Sequence, residues 1–485
     1  MGVIGAGVSG LAMGLRLQRA GLPFTILEKA DEVGGTWRDN RYPGLTIDVP
    51  SPIYTYTAQR HAGWRRWMPD GPEILDYHRD LTFRTGLREH IRFGAEVVEA
   101  TWAGDRWEVR TAAGDRHSFR ALACATGFLH NPNVPDIPGL DSFAGRCVHS
   151  ARWDDSIETA GKRVGVVGCG SSGIQIVSAL GGVSSHVTHF QRTAQWIFPL
   201  PNFDVPRALK GVFARWPRTM DATVEGIEWI ADRFLGGAAT APGWRRRALD
   251  WVARRNLRTV RDPALRAKLT PPDEPLCKRP VVSMSYYRVV QRPDVSVEKS
   301  GIERVVPEGI VTADGRLHEL DVLILATGFR SHDYMRPMAI TGEDGVTLGD
   351  AWAKGPYGYR TVTIPGFPNL FMLLGPHSPL VSIAIHYSAE LQADYAAQVL
   401  ERMDRDGLEA VSPTTEATGR WMDYVRNGMP GTIWSSGCAS WYLGSGDVPV
   451  LWPYDRRRWR ELLATPDLSD YEVRRLPAPE PIAVP

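Results

Sequence analysis

One glycine spacing, met twice in the same setting, limits what this chain can fold into more than any other feature. Near the amino terminus, "MGVIGAGVSGLAMGLRLQRAG" puts Gly5, Gly7 and Gly10 between a short apolar run, Met1 to Ile4, and a helix-spaced segment, Leu11 to Arg19, that closes near Gly21. Further along, "KRVGVVGCGSSGIQIVSALGG" repeats the arrangement with Gly168, Gly170 and Gly173. In such a turn the first glycine makes the sharp bend, the second lets a pyrophosphate approach the backbone, and the third lets helix pack on strand. The strand "FTILEK" follows the first copy and ends around Glu28. Strand, turn, helix, strand and acid in that order predict an α/β fold with two Rossmann-like dinucleotide-binding domains. The opening strand is unusually short, which points either to a start upstream of Met1 or to a frayed strand.

The two copies differ where each would meet a ribose. Registered on Gly5 and Gly168, the second copy has Gln191 of "THFQRT" in the place of Glu28, followed by Arg192 and Thr193. A carboxylate binds a free 2′-hydroxyl but repels a 2′-phosphate, whereas a guanidinium pairs with that phosphate through charge-assisted hydrogen bonds. The first site therefore suits the ADP half of FAD, and the second suits NADPH over NADH. The competing reading of Arg192 is a solvated charge at a strand end. Each copy also has a closing apolar strand of one form, "ALACATGF" at 121–128 and "DVLILATGF" at 321–329. Such runs fit central parallel strands whose carboxyl ends face a ligand crevice.

Between Pro199 and Pro275 strand signals vanish, and "ALKGVFARWPRTM", "VEGIEWIADRFL" and "WRRRALDWVARRNLRTV" show helical spacing with Trp and Phe on one face. This predicts a helical insertion, and the expected division follows. Residues 1–138 and 329–485 form the FAD-binding domain with a Pro-rich carboxyl-terminal tail, 139–198 and 275–328 the NADPH-binding domain, and 199–274 the insertion. The basic run of the insertion, Arg245 to Arg247 and Arg254 to Arg258, reads as a solvated helix face, with a membrane or partner contact as the alternative.

Composition closes several other doors. The 485 residues exceed one ordinary core. The 56 Lys and Arg against 55 Asp and Glu leave a net charge of +1, so bulk charge calls for neither nucleic acid nor an acidic membrane surface. No apolar run approaches a membrane span and no leader pattern opens the chain, so the reading is cytoplasmic. Cys124, Cys147, Cys169, Cys277 and Cys438 are scattered and odd in number, which argues against a disulfide framework or a zinc site; no metal is expected.

Neither a serine triad nor a metal cluster is legible, so chemistry is sought in unusual loops. "GGTWRDNRYPGLTIDVPSPIYTY" combines Gly34 and Gly35 with Trp37, Tyr42 and Asp48. In "CKRPVVSMSYY", Lys278 and Arg279 precede an apolar strand; buried cations there need a counter-charge, and Asp48 is one candidate.

The chain resembles the type I Baeyer–Villiger monooxygenases, class B flavoprotein monooxygenases, over nearly its whole length. "FAGRCVHSARWD" is similar to that family's signature at Phe143, Gly145, His149, Trp153 and Asp154, and the loop to its second signature at Gly35, Trp37, Tyr42, Pro43, Gly44 and Asp48. The resemblance implies bound FAD lined by Gly35, Thr36, Trp37, Asp48, Tyr54 and Val97, besides the Gly5, Gly7, Gly10 and Glu28 motif. It implies NADPH held by Gly168, Gly170, Ser171, Ser172, Gly173, Arg192, Thr193, Lys278 and Arg279. Arg279 matches the family's active-site arginine and Asp48 the acid that orients it. The implied reaction uses O2 and a small ketone: NADPH reduces FAD, a C4a-peroxide forms, and oxygen is inserted beside the carbonyl to give an ester or lactone. N- or S-oxygenation is the neighbouring activity, and Trp153 and Arg279 favour the ketone reaction. His149 and Trp153 are expected to anchor a hinge between the two domains. Two departures stand out: His377 replaces an expected Asn in "LGPHSP", and the Trp441 loop matches only in part, as a substrate or cofactor contact.

Overall fold

A computed structural model of the chain describes all residues except 379, 380, 383, 439, 444–449 and 476–485. Two five-stranded parallel sheets organise it. In the first, Gly2–Ile4 lies at the centre, flanked by Thr25–Leu27 and then Ile91–Arg92 on one side, and by Leu122–Cys124 and then Leu370–Met372 on the other. In the second, Arg163–Val167 is central, flanked by His186–Phe190 and Val295–Glu298 on one side, and by Val322–Leu325 and Arg146–His149 on the other. The repeat in sequence is thus a repeat in topology, with each glycine turn at the carboxyl end of a middle strand. The short opening strand is fully paired on both edges.

The glycines explain why each turn holds its shape. Gly5 and Gly168 sit at φ +100° and +109°, a region an L side chain rarely adopts, and a Cβ there would meet the carbonyl oxygens of Ala125 and Ala326 at 2.8 and 2.3 Å. A Cβ on Gly10 or Gly173 would lie 1.8 or 2.0 Å from the carbonyl oxygen of the first glycine of its own turn. Helices Val8–Ala20 and Ser171–Leu180 therefore reach their strands only through glycine.

Smaller sheets stand beside these two, and the glycine motifs do not announce them. An antiparallel set joins Val97–Trp102, Trp107–Thr111 and Arg116–Phe119, with Ala339–Thr341 parallel at its edge. Trp107, Val109 and Thr111 are buried while Glu108 and Arg110 are exposed, the period-two pattern of a half-covered strand.

Helices occupy much of 199–274: Arg207–Arg215, Pro217–Ala231, Gly237–Thr240, Trp244–Leu257 and Pro263–Lys268, with a π-helical turn at Asp232–Gly236. Ile197–Phe198 and Val281–Val282 pair in parallel, bringing the two ends of the insertion together. The expected apolar face is inverted for its tryptophans. Phe213, Met220, Val224, Ala253 and Leu257 are buried, but Trp216, Trp229, Trp244 and Trp251 are 58, 61, 56 and 58 % exposed. Helical spacing alone cannot tell an inward aromatic stripe from an outward one.

Scattered cysteines predicted no disulfide, and here the structure corrects the reading: Cys277 and Cys438, 161 residues apart, are joined. Sequence spacing does not register a contact made by the return of the carboxyl-terminal segment.

Gly173→Ala should cost at least about 3 kcal/mol through overpacking against a rigid carbonyl. Gly170→Ala, whose Cβ meets nothing within 4 Å, should leave the melting temperature unchanged. Thermal denaturation of both variants beside the parent checks this contrast.

Candidate active site

The two turns open on one cavity of about 1270 Å³, above the size of a single small-ligand pocket. Gly5, Gly7, Glu28, Gly35, Thr36, Trp37, Asp48, Tyr54 and Val97 line it from the first unit, and Gly170, Ser171 and Ser172 from the second. A Cβ on Gly35 would lie 3.1 Å from the Cα of Gly7, so the two backbones form a narrow cradle. Glu28 is buried there; its carboxylate accepts from the Ala6 and Ala30 N–H groups at 2.7 and 3.0 Å and pairs with Arg38 at 2.9 Å. Trp37 Nε1 donates to Tyr54 Oη at 2.9 Å, and Tyr54 stands edge-on to His386 with ring centroids 4.2 Å apart. Burial pushes the Tyr54 phenol far above its ordinary range, so it stays neutral.

The loop carrying Asp48 is docked on the second unit. A Cβ on Gly44, at φ +82°, would meet the Gln175 carbonyl oxygen at 2.7 Å. Tyr42 donates to Gln175 Oε1 at 3.0 Å and accepts from Ser172 Oγ at 3.0 Å. Ser172 therefore serves the seam between the units, beyond the phosphate role expected of it, and Tyr42 packs by its hydroxyl as well as its ring.

At that seam Arg279 meets Asp48. Nε donates to Oδ2 at 3.1 Å, and Nη2 to Oδ1 and Oδ2 at 3.0 Å each. Asp48 first, then the polar groups of Tyr442 and Tyr54, raises the Arg279 pKa against the opposing effect of burial, so the guanidinium is permanently charged. Its side chain is 48 % accessible, and because protein surrounds it in depth, the accessible part opens into the cavity. Tyr442 is buried and lines the cavity, a residue the sequence did not single out; the side chain of its neighbour Trp441 lies outside the described residues. His377 is buried away from the cavity lining, its N–H bonded to the Val450 carbonyl at 2.8 Å. From the insertion, Ile227, Phe234, Leu235, Leu249 and Val252 add an apolar wall.

Beside the second turn lies a cation cluster. Arg192, Lys278 and Lys299 all act on the Cys169 thiol, which burial raises and these three charges pull down. Lys299 Nζ donates to the Arg192 carbonyl at 3.4 Å, and its own pKa is lowered by burial and by Lys278. Lys278 also pairs with Asp273 at 2.7 Å, and Thr193 accepts from Cys169 through its carbonyl. Lys299 escaped the sequence reading, although "VSVEKS" ends the next strand of the same sheet and brings it there. Gln191, in the place of Glu28, is instead a core residue bonded to His189 and Tyr286.

The segment 143–154 stands apart from the cavity. Phe143 is buried, and a Cβ on Gly145 would lie 2.4 Å from the Asp321 carbonyl oxygen. His149 is buried, its Nδ1 accepting from the Ala151 N–H at 3.1 Å and its ring edge-on to Phe329 at 6.1 Å. Trp153 is buried, Asp154 pairs with Arg146 at 2.6 Å, and Asp155 pairs with Arg41 of the first-unit loop at 2.8 Å.

Arg192→Ala and Lys299→Ala should each raise the KM for NADPH about tenfold or more while changing that for NADH little, the expected loss for a charge-assisted phosphate contact. Steady-state kinetics with both coenzymes distinguish this from a general loss of folding.

Comparison with known proteins agrees with this geometry. Residues 3–205 match the pyridine nucleotide-disulphide oxidoreductase family. A protein of Mycobacterium tuberculosis named an uncharacterized monooxygenase is 45 % identical over 93 % of this chain and 91 % of its own. A Baeyer–Villiger monooxygenase of Streptomyces coelicolor is 37 % identical over 98 % of this chain and 93 % of its own. Cyclohexanone monooxygenase from Rhodococcus sp. Phi1, solved with NADP+, superposes with a TM-score of 0.88 at 31 % identity, covering 98 % of this chain and 99 % of that one. OTEMO, solved with FAD and NADP, gives 0.86 at 28 % identity over 97 % and 98 %. A cavity shared by two glycine turns, an arginine held at their seam, and relatives matched end to end lead to one assignment: the chain belongs to the Baeyer–Villiger monooxygenase family.

Proposed function

We propose that this protein converts a ketone to the corresponding ester or lactone with O2 and NADPH, and that the bidentate Arg279–Asp48 pair on the cavity wall carries the reaction. FAD fits the first cradle by its glycine backbone and Glu28, and NADPH fits the second by Gly168, Gly170, Ser171 and Gly173 with the Arg192, Thr193, Lys278 and Lys299 cluster. When bound and reduced by NADPH, the flavin supplies activated oxygen; the residues decide what that oxygen meets.

Arg279 spends Nε and Nη2 on Asp48, and among the described residues Nη1 has no hydrogen-bond partner. A fixed N–H of that kind stabilises an oxyanion developing on the substrate carbonyl, worth about 3 to 4 kcal/mol in a preorganised, water-poor site. Asp48 holds the guanidinium plane so that no reorganisation is needed as charge appears. The apolar wall from the insertion excludes water and favours a hydrophobic ketone. His149 and Trp153 act as a hinge anchor between the units, since neither lines the cavity. The setting is cytoplasmic.

Arg279→Ala should still oxidise NADPH but lose ester formation by about 10²- to 10³-fold, with consumed O2 appearing as hydrogen peroxide. Mass spectrometry over linear, cyclic and polycyclic ketones beside thioethers decides the chemistry: sulfoxide without any ester or lactone sinks the proposal. His149→Ala should impair coupling of NADPH use to product while leaving the ketone KM nearly unchanged, which paired NADPH and product assays measure.

A further inference from the structure

The helix Trp244–Leu257 has two faces with separate tasks. One turns Leu249 and Val252 to the cavity and Ala253 and Leu257 into the core. The other carries Trp244, Arg247, Ala248, Trp251, Arg255 and Arg258, all exposed and three or four residues apart, so they form one stripe. The stripe continues onto the end of helix Pro217–Ala231 and the π-helical turn after it, where Trp229, Ile230, Arg233 and Phe234 are exposed. Phe234 meets Trp244 edge to face with ring centroids 5.8 Å apart, and Arg245 and Arg255 lie over Trp244 and Trp251 at 5.3 and 5.4 Å. Ile230 and Phe234 are at once exposed and part of the cavity lining, so the stripe ends at the rim of the cavity.

Single exposed apolar residues need no explanation, but a contiguous aromatic stripe does. Charge chooses its occupant. The whole chain is nearly neutral, yet this surface is arginine-rich: Asp250 is engaged by Arg254 at 2.8 Å, and among the described residues no ion pair holds Arg233, Arg247, Arg255 or Arg258. Glu225, exposed one turn before Trp229, and Asp262, exposed four residues after Arg258, are the fewer acids set against them. A second copy of this chain would bring arginine against arginine across a twofold axis. Tryptophan and arginine share an apolar body and a polar end, the combination that settles at the headgroup level of a bilayer.

We propose that this stripe docks on a bilayer surface containing anionic phospholipid, its tryptophans at headgroup depth and its arginines on lipid phosphates. Among the described residues no helix is long and apolar enough to cross a membrane, so the contact is peripheral. Docking sets the cavity rim at Ile230 and Phe234 against the acyl phase, an entry path for an apolar ketone. That last step rests on the Baeyer–Villiger reading; the docking does not.

Cosedimentation of the FAD-loaded full chain with vesicles of phosphatidylcholine, pure or mixed with phosphatidylglycerol, measures it. The expected result is binding to the mixed vesicles that falls with added salt. It should weaken about tenfold in Trp244→Ser/Trp251→Ser and in Arg247→Glu/Arg255→Glu. Unchanged FAD content and melting temperature without vesicles show that both variants fold, and the salt dependence of the parent needs no variant. No binding to mixed vesicles, or equal binding by parent and variants, overturns the proposal. A concentration-dependent dimer in sedimentation velocity that the tryptophan variant abolishes also overturns it, assigning the stripe to a second copy. Docking with no ketone turnover would remove the functional reading alone.

Discussion

Arg279 and Asp48 are 231 positions apart in the chain, and almost every other feature of the site is arranged so that they can meet. A guanidinium withdrawn from bulk water is tolerable only beside a fixed carboxylate. The carboxylate is fixed because its loop is clamped to the second unit: Gly44 lets the loop backbone lie on the helix after the second glycine turn, and Tyr42 bridges Ser172 and Gln175. The arginine is fixed because its segment is tethered to the carboxyl-terminal loop through Cys277 and Cys438 and runs directly into the strand Val281–Val282. The ion pair is therefore a joint between two nucleotide units as well as the proposed centre of the chemistry, and the two roles need the same geometry.

The repeat is what the sequence made most legible. The constraint on each glycine is local and steric, and it translates into a central strand, a turn and a helix without reference to the rest of the chain. The ion pair was legible in a different way. A Lys-Arg dipeptide beside an apolar run raises the question of a counter-charge, and the acidic loop answers it. Contacts that depend only on the chain's return in space left weaker marks. Lys299 joins Arg192 because two strands are neighbours in a sheet, Tyr442 reaches Arg279 from the far end of the chain, and Cys277 meets Cys438 across 161 residues. The tryptophans of the insertion show the limit most plainly. Their spacing fixes a face, but which way that face points depends on what the helix packs against, and the apolar side residues Leu249 and Val252 won the inward position.

The parallel pairing of Ile197–Phe198 with Val281–Val282 has a consequence for how such a protein can change. The insertion leaves the second unit and re-enters it at adjacent points, so its helices form a lobe that can vary without shifting the register of either sheet, although Val224, Ala253 and Leu257 tie it into the two cores. The lobe supplies an apolar wall of the cavity, whereas the glycine turns and the charged joint belong to the sheets and their loops. On the function proposed above, substrate range and redox machinery are thereby placed on separate lengths of chain. Drift in the first can proceed while the second is held constant, with the joint between the strands as the boundary across which neither needs to know the other.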